Sequence, residues 1–120
     1  MQYALLVYLT PADRERMRED GPAQAEIDAG YAAFTRALVE AGVLRSGQRL
    51  ALPDVATTLV AQPDGRPLVQ DGPFADTKEQ LGGFFVIEVD DLDAAMRWGS
   101  RCPAARLGRL EIRPIAAPPT

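Results

Sequence analysis

Apolar and polar positions alternate with two different periods along this chain, and the switches between them mark its elements. Tyr3, Leu5 and Val7 interleave with Ala4, Leu6 and Tyr8, so residues 3–9 read as a strand with both faces covered. Thr10-Pro11 closes it, and residues 12–19 alternate charge as a solvated helical turn with Arg14, Arg16 and Arg18 at the surface. Ile27, Tyr31, Phe34, Leu38 and Ala41 then form one apolar stripe, which predicts a helix over residues 22–41 with Gly42 in the left-handed position after it. A second extended segment runs from Val43 through Ser46-Gly47 to Leu52, where Pro53 stops it. Residues 57–62 and 66–70 are short strands joined by Asp64-Gly65, a two-residue hairpin signal, and Pro63 and Pro67 suit an edge hairpin. Residues 84–89 form the strongest strand, apolar on both faces until Glu88. A second helix opens at Asp90 or Asp91 and buries Leu92, Ala95, Met96 and Gly99. The last strand, residues 109–115, points Leu110 and Ile112 inward and Arg109, Glu111 and Arg113 outward.

The order strand, helix, strand, hairpin, strand, helix, strand is the split βαβ plan of a ferredoxin-like α+β domain, with the hairpin as an insertion. Two helices cover one face of such a sheet, yet two of its strands are apolar on both faces. A partner sheet is the simplest cover, which predicts a homodimer. The alternative is that the hairpin and the tail fold back over the open face.

Composition narrows the chemistry. At 120 residues the chain is expected to be a single domain spanning residues 1–120. A net charge of −4 and a pI near 4.8 argue against direct nucleic-acid binding, which needs clustered cations. No apolar run is long enough for a membrane span, and a strand starting almost at Met1 leaves no room for a signal peptide, so the expected location is cytoplasmic. Cys102 is the only cysteine and histidine is absent, which excludes an intrachain disulfide, Ser-His-Asp and Cys-His catalysis, and every His-ligated metal. The acids Glu88, Asp90, Asp91 and Asp93 read as helix capping, so no metal is expected, and no cofactor is called for. Acid–base chemistry here falls to Asp, Glu, Lys, Tyr or solvent.

The run Asp71-Gly72-Pro73-Phe74-Ala75-Asp76-Thr77-Lys78-Glu79-Gln80-Leu81-Gly82-Gly83-Phe84 holds the candidate site. An aspartate before a turn ordinarily accepts the N–H two residues on, but here that residue is Pro73, which has none. Asp71 then either bonds to the Phe74 N–H or faces a pocket as base or charge partner. Thr77-x-x-Gln80 has the form of a capping box, and neighbours in a helical turn face apart, so at most one of Lys78 and Glu79 joins Asp71. Lys78 is the only lysine among 13 basic residues, which fits either an arginine-rich composition or a site that wants an amine. Gly82-Gly83 suggests a bulge or a close approach, by a subunit or by a ligand. Tyr8, Ser46 and Arg113 lie on strands and are candidate cleft residues beside Asp71, Lys78 and Glu79.

This run resembles the signature of the DGPF-type branch of the YCII-related proteins. Ala41-Gly42-Val43-Leu44, Ser46-Gly47, Asp91-Leu92-Asp93-Ala94-Ala95, Cys102-Pro103-Ala104-Ala105 and Glu111-Ile112-Arg113-Pro114-Ile115 support the likeness, in order along nearly the whole chain. The resemblance implies a ferredoxin-like domain pairing into a dimeric α/β barrel, and a small-molecule site in which Asp71 matches the acidic member. Some YCII-type relatives pair a histidine with that aspartate, and this chain has no histidine. Proteins similar to this one are also associated with extracytoplasmic-function sigma factors. Two expectations follow. One is a homodimer binding a small polar metabolite near Asp71, with Asp71 catalytic. The other is a non-catalytic accessory module with a sigma-factor-linked protein partner.

Overall fold

Strand β1 (Gln2–Leu9) organises the molecule because both of its edges are used. It pairs antiparallel with β5 (Gln80–Glu88) on one side and β6 (Arg109–Pro114) on the other. β2 (Leu44–Arg49) adds to the far edge of β5, giving a four-stranded sheet in the order β2-β5-β1-β6. The computed structural model describes residues 1–19, 21–73 and 79–118, with 16–19 and 21–23 described by backbone alone. With the separate hairpin β3 (Thr57–Ala61) and β4 (Pro67–Asp71) set aside, this is the ferredoxin-like order read from the sequence.

The helices form where local chemistry starts them. Helix α1 (Pro11–Glu19) is longer than the single turn expected. Its start is a reciprocal cap: the Asp13 N–H donates to Thr10 Oγ1 at 3.0 Å, and the Thr10 N–H donates to Asp13 Oδ2 at 2.9 Å, with Pro11 at the first helical position. Helix α2 (Gly21–Glu40) ends at Gly42, whose φ of +73° suits glycine. There the Val43 N–H donates to Leu38 O and the Gly42 N–H to Val39 O, so two orphaned carbonyls are satisfied. Helix α3 (Leu92–Gly99) is capped by Asp91, which accepts the Ala94 N–H at 2.8 Å. A short helix α4 (Ala104–Leu107), not foreseen in the sequence, follows Pro103.

The core lies on one face only. Tyr3, Leu5 and Val7 of β1 and Ile87 of β5 pack against Phe34 and Leu38 of α2, with Ala95, Cys102 and Ala104 closing the far end. Phe85 meets Phe34 edge to face, centroids 5.2 Å apart. The opposite face carries Ala4, Leu6, Phe84 and Val86 in its middle, each half-buried among strand neighbours.

Several sequence expectations need correction: Leu92 and Met96, expected on the buried face of α3, are exposed, and only Ala95 and Gly99 are buried. β5 begins at Gln80, four residues before the predicted start, so Gly82 and Gly83 lie inside the strand, and the β1 register slips between Val7 and Tyr8 to leave Gly82 as a bulge. Gln80 is therefore strand and not part of a helical turn, while Thr77 of the expected capping box lies outside the described residues. The hairpin turn has three loop residues, Pro63-Asp64-Gly65, closed by the Gln62 N–H donating to Arg66 O, with Gly65 at φ +85°.

That hairpin forms its own two-stranded sheet with Leu59, Val60, Leu68 and Val69 exposed. It contributes to an overall shape of 49 × 48 × 18 Å. The radius of gyration is 16.5 Å, against about 14 Å for a globule of this length.

Position 83 has no room for a side chain: a Cβ there would stand 2.8 Å from Gln48 O and 3.5 Å from Arg49 Cα. Gly83→Ala is expected to lower unfolding stability by about 1–3 kcal/mol through displacement of β2. Urea denaturation tests this, and an unchanged midpoint would show that β2 yields freely.

A candidate small-molecule cavity under helix α2

A cavity of about 630 Å³ lies between α2 and the core face of the sheet. Its position follows from the glycines. Gly47 of β2 lies opposite Phe85, and Arg49 lies opposite Gly83. Both glycines lie in its lining, where neighbouring atoms approach their backbone closely. Tyr31, Asp28 and Thr35 face it from the helix, Val7 and Phe85 from the sheet, and Arg49 from the end of β2. Volume and lining fall in the range of small-molecule sites, which are mostly apolar with a few polar groups.

The polar groups are unlike one another. Burial pushes the Tyr31 phenol well above its ordinary value, the neighbouring Cys102 thiol adds to the rise, and the Arg49 guanidinium offsets part of it. Cys102 is buried, and burial raises its thiol too, with a backbone hydrogen bond from Ala104 acting the other way. Asp28 accepts a hydrogen bond from Gln24 Nε2 at 2.9 Å. Arg14, expected at the surface, instead has Nε and Nη2 buried, with Nη2 beside Gly82.

The residues singled out in the sequence are distributed differently. Asp71 ends β4 opposite Thr57 and is exposed, away from the cavity lining. Its corner is built by backbone: the Gly72 N–H donates to Ala56 O at 2.6 Å, and Thr58 Oγ1 donates to Gly72 O at 2.9 Å. Lys78 and Phe74 lie outside the described residues. Glu79 accepts from Arg109 Nε at 2.5 Å and shares with Tyr8, Thr10 and Asp13 a smaller pocket of about 220 Å³. Ser46, Val86, Ala4 and Arg113 form one row across the open face of the sheet, where Arg113 also pairs with Glu111. The structure thus brings Tyr8 and Glu79 together, sets Ser46 and Arg113 in one row, and keeps Asp71 apart from all four.

Tyr31 and Arg49 escaped the sequence reading. Tyr31 was one member of an apolar stripe, although its hydroxyl marks it as a residue with a polar end to satisfy. Arg49 gave no signal, because its inward placement depends on strand register. Among the described residues no group of acids, cysteines or histidines is arranged to hold a metal, and no helix is long and apolar enough to cross a membrane.

Comparison with known proteins places this geometry. The family model of the YCII-related domain matches residues 1–117. An uncharacterized protein of Rhizobium meliloti (strain 1021) is 35% identical over 118 residues, covering 97% of this chain and 93% of that protein. Among solved structures, the fold is similar to that of 5-chloro-2-hydroxyhydroquinone dehydrochlorinase (TftG) from Burkholderia phenoliruptrix AC1100, in complex with 2,5-dihydroxybenzoquinone. That match has a TM-score of 0.54 at 14% identity and covers 97% of this chain and 94% of the other. At that identity the likeness is one of fold.

The two raised groups set an alkaline limit. Below pH 9 both are protonated in folded and unfolded chains alike, and stability is unaffected by them. As pH rises past the ordinary values of 9.0 for the thiol and 10.0 for the phenol, the unfolded chain releases protons that the folded chain retains, and stability falls. Melting temperature should therefore decline above pH 9 in wild type and decline less steeply in Tyr31→Phe. Parallel curves would remove Tyr31 from the account.

Proposed function

The chain belongs to the YCII-related domain family, and from that premise we propose that it is a homodimer binding a small molecule in the cavity under α2, with the projecting hairpin and its Asp71 serving the second copy. The observation that carries the reading is the cavity itself, floored by glycine backbone and supplied with a phenol and a guanidinium. The dehydrochlorinase of similar fold binds a small ring compound, which supports the use of such a fold for ligands of this size.

The open sheet face supports the dimer. Its rows run Ser46, Val86, Ala4, Arg113 and Gln48, Phe84, Leu6, Glu111: apolar in the middle and polar at both ends. Apolar centre and polar rim is the anatomy of an interface. About six residues along four strands cover roughly 400 Å² per copy. A pair then buries about 800 Å², short of the ~1,200 Å² of a stable complex. The exposed apolar pairs Leu59/Val69 and Val60/Leu68 on the two faces of the hairpin supply the remainder. In the dimer the hairpin reaches the second copy and carries Asp71 with it, so Asp71 acts in the assembled protein as the acid, whether in turnover or in binding.

Light scattering is expected to give twice the 13.0 kDa chain mass. Phe84→Glu should give a monomer with native circular dichroism, and a monomeric wild type overturns the dimer. For the ligand, a thermal-shift screen of metabolites is run on wild type, Thr35→Trp and Asp71→Asn. A ligand at a hundred times its dissociation constant adds about 2.7 kcal/mol, several degrees in a domain of this size. A stabilising compound lost in Thr35→Trp supports the cavity, and its weakening in Asp71→Asn supports the hairpin's part. A compound that stabilises all three equally overturns both, and with no stabilising compound the accessory role with a protein partner takes precedence.

A further inference from the structure

We infer that the cavity under α2 takes a small organic acid, with an apolar, ring-sized body against Phe85, Leu44 and Ile27 and a carboxylate turned toward Arg49 and the Tyr31 hydroxyl. This rests on the reading of the cavity as the ligand site, and adds what kind of molecule it holds.

Arg49 has an unusual place for an arginine at the end of an edge strand. Its partner across the ladder is Gly83, which also pairs with Val7 of the core face, so position 49 belongs to the face under α2 and not to the open one. The residue is exposed but lines the cavity, and among the described residues its side chain makes no hydrogen bond or ion pair. Asp28, the one carboxylate of the described lining, is occupied by Gln24 and forms no ion pair with Arg49. A guanidinium offers a planar fork of donors that matches a carboxylate with two parallel bonds.

Tyr31 completes the recognition. Its hydroxyl has no hydrogen-bond partner among the described residues, and it lies near enough to Arg49 for the guanidinium to act on its ionisation. Held neutral, the phenol is a donor and does not repel an anion. Between them the two side chains can turn guanidinium N–H and phenol O–H donors to the ligand's head. Around its body the walls are aliphatic and aromatic, and Gly47 and Gly83 leave the floor flat. A molecule ending in an amine would find Arg49 opposing it. A neutral molecule would forgo the charge-assisted bonds that the guanidinium offers.

The test compares 2-naphthoate with 2-naphthamide, equal in shape and different in charge, by isothermal titration calorimetry on the full chain. Wild type is expected to bind the acid at least about tenfold more tightly than the amide. Arg49→Gln should erase that preference while retaining amide binding, and Tyr31→Phe should weaken the acid alone. Equal affinities in wild type, a preference that persists in Arg49→Gln, or no binding of the acid at millimolar concentration overturns the organic-acid assignment. Thr35→Trp, with Ala51→Trp as a second variant at the cavity wall, separates this from the underlying reading. If both probes bind wild type equally and both are blocked by these substitutions, the cavity stands and only the acid falls. If the probes bind all variants alike, the cavity is not the site and both readings fall.

Discussion

One steric constraint sets the rest of this structure: β2 docks on β5 because position 83 has no side chain. The Gln48 carbonyl oxygen occupies the space where a Cβ would project, at 2.8 Å. Close docking there aligns Gly47 with Phe85 and Arg49 with Gly83, which turns Arg49 to the helical side of the sheet and clears the floor beneath α2. The bulge at Gly82 belongs to the same arrangement. It lets β5 continue past Val7 while shifting its pairing with β1, and the Arg14 guanidinium rests beside the exposed backbone. A glycine pair that reads as a local irregularity thus permits the close docking of β2 and lies in the lining of the cavity.

Much of the fold was legible because the signals were periodic. The α2 stripe, the Gly42 stop, the Asp91 cap and the alternation of β6 all fall where residue spacing puts them, since each is decided by contacts within a few residues. The start of β5 was not, because Gln80 to Gly83 has poor strand propensity and is held extended by pairing with β1, with β2 joining only at Gly83. Helix α1 was read as a turn for want of an apolar stripe, although the Thr10-Pro11-Ala12-Asp13 cap was written in the sequence.

The site was less legible for a related reason. Residues 71–84 concentrate charge and glycine, and that density drew attention to Asp71 and Glu79. The chain then separates them: Asp71 leaves on the hairpin, and Glu79 pairs with Arg109 across to the start of β6. The groups that do converge, Tyr31 and Arg49, lie 18 positions apart by their numbers, on different elements. Only strand register says that residue 49 faces inward, and register is a tertiary fact. The glycines were the usable signal: Gly82-Gly83 suggested a bulge or a close approach, and at Gly83 the approach is that of the Gln48 backbone, beside the cavity.

The buried thiol gives the fold an internal clock. Cys102 is the only cysteine, is 0% exposed, and sits close enough to Tyr31 to influence its ionisation. A thiol reagent can reach it only when the packing between α2 and the segment following α3 opens, so the labelling rate counts those openings without any introduced probe. The protein therefore carries its own readout of how often its core opens, in the time its single sulfur stays hidden.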